Sequence, residues 1–174
     1  MRIGFLIIAR LKSKILPNKL MKKIYGKTVI EHMIERIKNN NSLNKIILCT
    51  SNLMSDDTLE KISKKKKINI FRGDPNDVIK RMRDATKKFK LDYVLSITAD
   101  CPLVELSYVK KFISIFKKTK ADLIRSFDLP HGAFFFGISP NSLNKFLRFK
   151  NTKYTSNWEM YFTDTKIFKV YDVK

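Results

Sequence analysis

A chain of 174 residues has the usual size of one folded unit and is long enough to bury ~70% of the surface its unfolded form exposes. Apolar residues make up 44% and aromatic ones 11%, which excludes a disordered polymer, and no uncharged apolar run approaches the ~20 residues that a bilayer-crossing helix requires. The opening MRIGFLIIARLKSK places only seven residues, 3–9, before Arg10; this is too short for a secretory signal, so a cytoplasmic location and a single domain over residues 1–174 are expected.

The formal net charge is +20. An excess of that size draws anions and can mark a nucleic-acid partner through counterion release. Its make-up argues otherwise. Lysine outnumbers arginine 28 to 8, and isoleucine (20) and asparagine (12) are abundant, the signature of an adenine- and thymine-rich coding sequence. The lysines are spread along the chain, and the one tight run, 64–67, reads as a solvated helix face. Cys49 and Cys101 lie 52 positions apart without a CxxC or a histidine cluster, so neither a disulfide framework nor a zinc site is indicated.

In chain order, residues 2–9 form an apolar run that reads as a buried strand of a parallel sheet, followed by a polar loop, 10–23. Val29, Ile30, Met33, Ile34 and Ile37 then recur at helical spacing within 28–38. Residues 45–50 read as a strand, and 55–63 as a short helix with Asp56 and Asp57 at its positive end. A third strand at 68–71 is followed by a helix at 76–89, and 92–98 is a fourth strand. Residues 105–118 are helical and 121–125 begin another strand. Beyond them the pattern loosens into strands at 133–138 and 166–171, with helices at 140–146 and 156–162. Five glycines and five prolines leave no flexible linker. The alternation predicts a three-layer α/β/α domain with a mostly parallel central sheet, and with it a ligand crevice at the strands' carboxyl ends.

Three loops reach that edge. In the first, ARLKSKILPNK (9–19), Arg10, Lys12, Lys14 and Lys19 stand within ten positions, a density suited to phosphate; it lacks the glycines and GK[ST] of a Walker A loop. In the second, FRGDPND (71–77), Asp77 before a helix reads first as a cap. In the third, Asp100 follows a buried strand, where a carboxylate can hold a hard divalent ion.

The ordered set ARxxSxxLPxK (9–19), FRGDxxDV (71–78) and ITADCPL (97–103) resembles the cytidylyltransferases. It is most similar to the spore-coat-polysaccharide-type branch, related to the enzymes that make CMP-sialic acid and CMP-3-deoxy-manno-octulosonate. The likeness is strong up to about residue 105 and loose beyond. It implies a nucleotide-diphospho-sugar transferase (Rossmann-like) fold. It also implies transfer of CMP from CTP to an acidic or phosphorylated sugar, with release of pyrophosphate, for surface-polysaccharide synthesis. By position, Ala9, Arg10, Leu11, Ser13, Lys19, Arg72, Asp77 and Ala99 would surround the nucleotide. Arg10, Lys19 and Asp100 would be catalytic, Lys19 countering the charge of the departing pyrophosphate and Asp100 binding Mg²⁺. HGAFFFG (131–137) and TSNWEMY (155–161) resemble the family's sugar-pocket strand and the segment after it, which gives His131 and Glu159 a sugar-binding role. Phe134, Phe135, Phe136 and Trp158 are expected in the core or at an interface, and a homodimer is expected as the assembly.

The chain departs from the family pattern in two places. SKILPNK (13–19) stands where SxRLPGK is usual, with Ile15 for an arginine and Asn18 for a glycine. The family's closing VDxxxD-like stretch has no clear counterpart, Asp172 being a poor substitute. These departures carry two further expectations: a truncated chain or a reduced carboxylate set, and a rival reading as a catalytically degenerate nucleotide-binding homologue. Nucleic-acid binding, resting on charge alone, is the weaker rival.

Overall fold

All six residues of the first strand, β1 (Ile3–Ile8), are buried, because its two faces serve two different cores. In the computed structural model, which describes residues 1–12, 16–126 and 128–173, Ile3, Phe5 and Ile7 join one apolar cluster and Leu6 and Ile8 the other. A strand in the middle of a parallel sheet must do this, since helices cover both faces.

The other elements follow in chain order. β2 (Lys23–Ile24) and β3 (Lys27–Thr28) form a small hairpin, and α1 (Val29–Lys38) leads to β4 (Lys45–Ser51). α2 (Asp57–Lys65), β5 (Asn69–Gly73), α3 (Val78–Lys88) and β6 (Tyr93–Thr98) complete the alternating half. Then come α4 (Tyr108–Thr119), β7 (Leu123–Ser126), β8 (Phe136–Ile138), α5 (Pro140–Phe149), α6 (Trp158–Asp164) and β9 (Val170–Val173). The main sheet has the order β5-β4-β1-β6-β8-β7-β9. Strands β5, β4, β1 and β6 are parallel neighbours, β8 runs antiparallel to β6 and β7, and β9 is parallel to β7.

The helices divide by the cluster they join. α1, α2 and α4 contribute Met33, Leu59 and Phe112 to one core, while α3, α5 and α6 contribute Met82, Phe146 and Phe162 to the other. The expected three-layer α/β/α arrangement with a mostly parallel sheet is thus observed.

Differences from the expected elements are local. The hairpin at 23–28 lies partly inside the expected loop, with Tyr25 and Gly26 at positive φ in its turn, and His32 Nε2 meets the Ile24 carbonyl at 2.8 Å. Pairing in β8 covers only Phe136–Ile138, because the chain at 131–133 turns and Ala133 N–H bonds Pro130 O. The lysine run does not stand free. Lys64 pairs with Glu60, Lys65 with Glu31, and Lys66 with Glu31 and Glu35, tying α2 to α1.

Glycine matters most at Gly137 in β8. A Cβ there would collide with the hydroxyl of buried Tyr93 on β6 and reach within 3.0 Å of Phe112.

Candidate active site

The loops after β1 and β6 meet. Ala99 N–H donates to Ile8 O at 2.8 Å and Ala9 N–H to Cys49 O at 3.1 Å, so the sheet's hydrogen bonding continues past the strand ends and holds both loops in place. There the Lys19 ammonium pairs with the Asp100 carboxylate. Burial raises the Asp100 pKa, but hydrogen bonds from Lys19 and Thr98 outweigh that effect and hold it below the usual carboxylate value.

Arg10 closes the near side, its Nη1 donating to Pro75 O at 2.6 Å across 65 positions of sequence. The hollow bounded by these loops has a volume of about 740 Å³, and Arg10, Lys12, Lys19, Arg81, Asp56 and Asp100 supply its charges. That is the size range of a small-molecule site.

Two of these charged residues were missed in the sequence. Asp56, 1% exposed, makes no side-chain cap to α2. It accepts instead from Leu11 N–H at 2.8 Å, Thr50 Oγ1 at 3.1 Å, Ser51 N–H at 3.3 Å and the Ser51 hydroxyl. A buried acceptor with that many donors fixes the first loop to β4, while Asp56 and Asp57 stand at the start of α2 as expected. Arg81 is fully buried. Its Nη1 donates to Asp74 O at 2.6 Å, whereas Nε and Nη2 find no partner. Burial pulls its pKa below the usual arginine value, against the influence of Cys49, and the charge of Arg10 adds to the fall. The clue was a cation on the inward stripe of α3, three positions after Val78 and four before Ala85.

The remaining expected nucleotide residues divide. Ala9 and Ala99 line the cleft. Leu11 is buried beneath it with its N–H on Asp56. Ser13, together with Lys14 and Ile15, lies outside the described residues. Asn18 has φ 54°, the left-handed region that asparagine tolerates better than most residues. Arg72 is not brought to the cleft. Its guanidinium is held by Asp57 at 2.7 Å, Glu60 at 2.9 Å and the carbonyls of Ser51 and Leu53, because the end of β5 lies against the first turn of α2. Asp77 is likewise turned inward, 3% exposed, and caps α3 through Lys80 N–H at 3.0 Å. It also accepts from Thr155 Oγ1 at 3.1 Å and from Lys150. Those contacts anchor residues 150–156 and so set Ser156 and Trp158 on the cleft wall.

A second, smaller pocket of about 140 Å³ adjoins the first, sharing Ile8, Thr98, Ser156 and Trp158 with it. His131 and Glu159 both line it, as do Phe134 and Phe136. The expected core role holds for Phe135, 1% exposed. Phe136 packs against the other core and also lines the pocket, and Phe134 lines the pocket. Trp158 does both, packing in the core and forming the wall between the two hollows.

Among the described residues no group of three His, Cys, Asp or Glu side chains is placed to hold a metal ion. Asp172 is taken by Arg125, Nε to Oδ1 at 2.6 Å. A lone carboxylate at a sheet edge is nonetheless the protein share that a magnesium ion takes when phosphate oxygens and water complete its shell, so Asp100 fits the ion as one of several donors. No helix among the described residues is long and apolar enough to cross a membrane.

Comparison with known proteins agrees with this geometry. The profile of a family described as cytidylyltransferase matches residues 5–174. An uncharacterised protein of Methanocaldococcus jannaschii is 31% identical over 124 residues, 71% of this chain and 51% of that one. The 3-deoxy-manno-octulosonate cytidylyltransferase of Christiangramia forsetii is 28% identical over 127 residues, 71% of this chain and 49% of that one. The chain therefore spans about half the length of the curated relatives it matches. Among solved structures, a cytidylyltransferase from Leptospira borgpetersenii superposes with a TM-score of 0.90 at 25% identity, over 99% of this chain and 76% of that one.

Proposed function

This chain belongs to the cytidylyltransferase family, and from that premise we propose that it transfers CMP from CTP to a sugar hydroxyl. The hydroxyl oxygen attacks the α-phosphorus, the bond from that phosphorus to the bridging oxygen breaks, pyrophosphate leaves and the hydroxyl proton passes to solvent. The observation that carries this reading is the meeting of Lys19 and Asp100 in one 740 Å³ hollow walled by Arg10, Lys12 and Arg81.

Reactions of this kind depend on holding reactants in line and on neutralising charge as it develops. Lys19, reaching the cleft from the loop after β1, is placed to balance the departing pyrophosphate. Arg10 and Lys12 offer further donors to the phosphates. Arg81, fully buried behind the cleft wall, leaves Nε and Nη2 without a partner, and its charge adds to the positive field there. Ala9 and Ala99 lie at the strand ends, where small side chains let a nucleotide approach the backbone. Asp100 would hold Mg²⁺, which when bound supplies charge neutralisation at the phosphates and acidifies the attacking hydroxyl. The product would serve surface-polysaccharide synthesis, as the spore-coat-type resemblance implies.

The test is pyrophosphate release from CTP with Mg²⁺ and a panel of sugars. Release that requires both CTP and a sugar is expected; no release, together with no rise in melting temperature on adding CTP, would reject the reading.

A further inference from the structure

We propose that Arg81 is a positioning residue for phosphate binding: from behind the cleft wall it pins the 74–77 loop, and through that loop it fixes where the Arg10 guanidinium stands. This rests on the cytidylyl-transfer reading for what Arg10 grips.

Local geometry comes first. Asp77 caps α3, and Arg81 sits one turn in, its N–H bonded to Asp77 O at 3.1 Å. Side chains on a helix lean toward its amino-terminal end, so that of Arg81 runs back under the loop that precedes α3. There its Nη1 donates to Asp74 O at 2.6 Å. The next carbonyl along, Pro75 O, accepts from Arg10 Nη1, also at 2.6 Å. Two guanidiniums from distant parts of the sequence thus hold consecutive carbonyls of one short loop, Arg81 from within and Arg10 from the cleft.

That loop has little freedom of its own. The Asp74 carboxylate accepts from Asn76 N–H at 2.9 Å and Asp77 N–H at 3.0 Å, Asn52 N–H donates to Gly73 O at 2.9 Å, and the ring of Pro75 fixes its φ. A shift at the Asp74 carbonyl therefore carries the Pro75 carbonyl with it, and Arg10 follows. Arg10 uses one N–H on Pro75 and keeps others for a phosphate, which a guanidinium fork recognises only in the right orientation.

Energetics then separate Arg81 from an ordinary core residue. It is fully buried, and its Nε and Nη2 have no partner among the described residues. Burying a cation that incompletely is unfavourable, and the nearby charge of Arg10 adds to the penalty. An apolar side chain would fill the same inward stripe of α3, beside Val78, Met82 and Ala85, without it. A locally costly choice of residue is the mark of a functional position rather than of a folding one.

Two probes on the full chain test this. Calorimetry with inorganic pyrophosphate reports the grip on phosphate without a nucleotide or a sugar. Arg81→Met should weaken that binding about fivefold in the wild type and by less than about twofold once Arg10→Met is present, a non-additivity in the range of residues joined by one hydrogen-bond network. The field of a buried charge alone would give the same factor in both backgrounds, so equal factors would overturn the proposal. Hydrogen exchange of the ligand-free protein is the second probe. The amides of Asn76 and Asp77 should exchange faster in Arg81→Met; unchanged exchange would overturn it too. The melting temperature of this variant is expected at or above the wild-type value, and a lower one with undiminished pyrophosphate binding would make Arg81 purely structural. Arg81→Gln, carried through the same measurements, is expected to show the same losses and serves if the methionine variant does not fold. CTP titrated into the same samples separates the two readings. The pyrophosphate coupling without CTP binding sinks the transferase and leaves the role of Arg81; CTP binding without the coupling sinks that role alone; a wild type that binds neither overturns both.

Discussion

The two neighbouring hollows are built from opposite materials. In the larger, charged side chains other than Arg81 of α3 come from segments that parallel strands deliver to one edge, and backbone hydrogen bonds such as Ala99 N–H to Ile8 O hold those segments in place. In the smaller, rings from residues 131–136 and from α6 pack on one another, and position comes from side-chain contact. A fixed backbone suits a ligand part that never changes, a triphosphate. Side-chain packing can vary its rings while the sheet stays as it is, so under the proposed function acceptor choice would be the more adjustable property.

The sharpest way to break this division is at Lys19. Lys19→Met should lower CTP-dependent pyrophosphate release by about 10²- to 10³-fold, the usual loss when one well-placed charge is removed, with the circular dichroism spectrum unchanged. A loss under tenfold would mean that Lys19 is not where charge develops.

Next in size is Gly137→Ala, at the point where β8 brings the aromatic segment onto the parallel half. Because the new methyl would collide with the Tyr93 hydroxyl, the cost should be about 1–3 kcal/mol. That is a fall in melting temperature of very roughly 3–10 °C for a chain of this length. Calorimetry checks it, and an unchanged transition would mean that the β6–β8 contact is looser than described.

Salt should separate the hollows. Raising ionic strength from ~0.1 M to ~1 M shortens the Debye length from ~10 Å to ~3 Å. CTP affinity should drop by about tenfold while glucose binding hardly changes. Parallel titrations in the two salts decide this, and equal sensitivity would erase the distinction.

The smallest effect lies in the frame beneath the cleft. Thr28 caps α1, its N–H and hydroxyl donating to Glu31 at 3.0 and 2.9 Å and its Oγ1 accepting from Glu31 N–H. These bonds, the backbone one foremost, hold the Glu31 pKa at about 2 against an ordinary 4.5. A depressed carboxylate stabilises the fold above its unfolded value and loses that contribution as pH falls through the folded one. Thr28→Ala should therefore cost about 1 kcal/mol at neutral pH, a deficit that shrinks between pH 4.5 and about 2. Thermal melts across that range test it.

How much of this was legible follows the same division. The strand at 2–9, the helix at 28–38 and the convergence of Lys19 with Asp100 could be read because periodicity and the right-handed crossover rule dictate where strand ends go. Asp56 and Arg81 could not. Each is a charged residue in a segment that reads as a routine helix, and its role depends on burial that only tertiary packing creates. Arg72 looked like a ligand contact from its motif, whereas Asp77 takes the capping role that its place before a helix suggested. They turn inward because α2 and the 150–156 segment supply partners from afar. The aromatic pocket was hidden for a further reason. Phe134, Phe136 and Trp158 are ordinary core residues by type, and only the turn at 131–133 and the anchoring of Thr155 to Asp77 decide which of them face a cavity.

The most direct test of the central claim is the dissociation constant of CTP, measured by calorimetry with and without Mg²⁺, for the wild type and for Asp100→Asn. If the cleft grips a metal-bound triphosphate at Asp100, Mg²⁺ tightens binding to the wild type by about tenfold or more and leaves the variant nearly indifferent. Equal affinities in all four titrations would contradict the account.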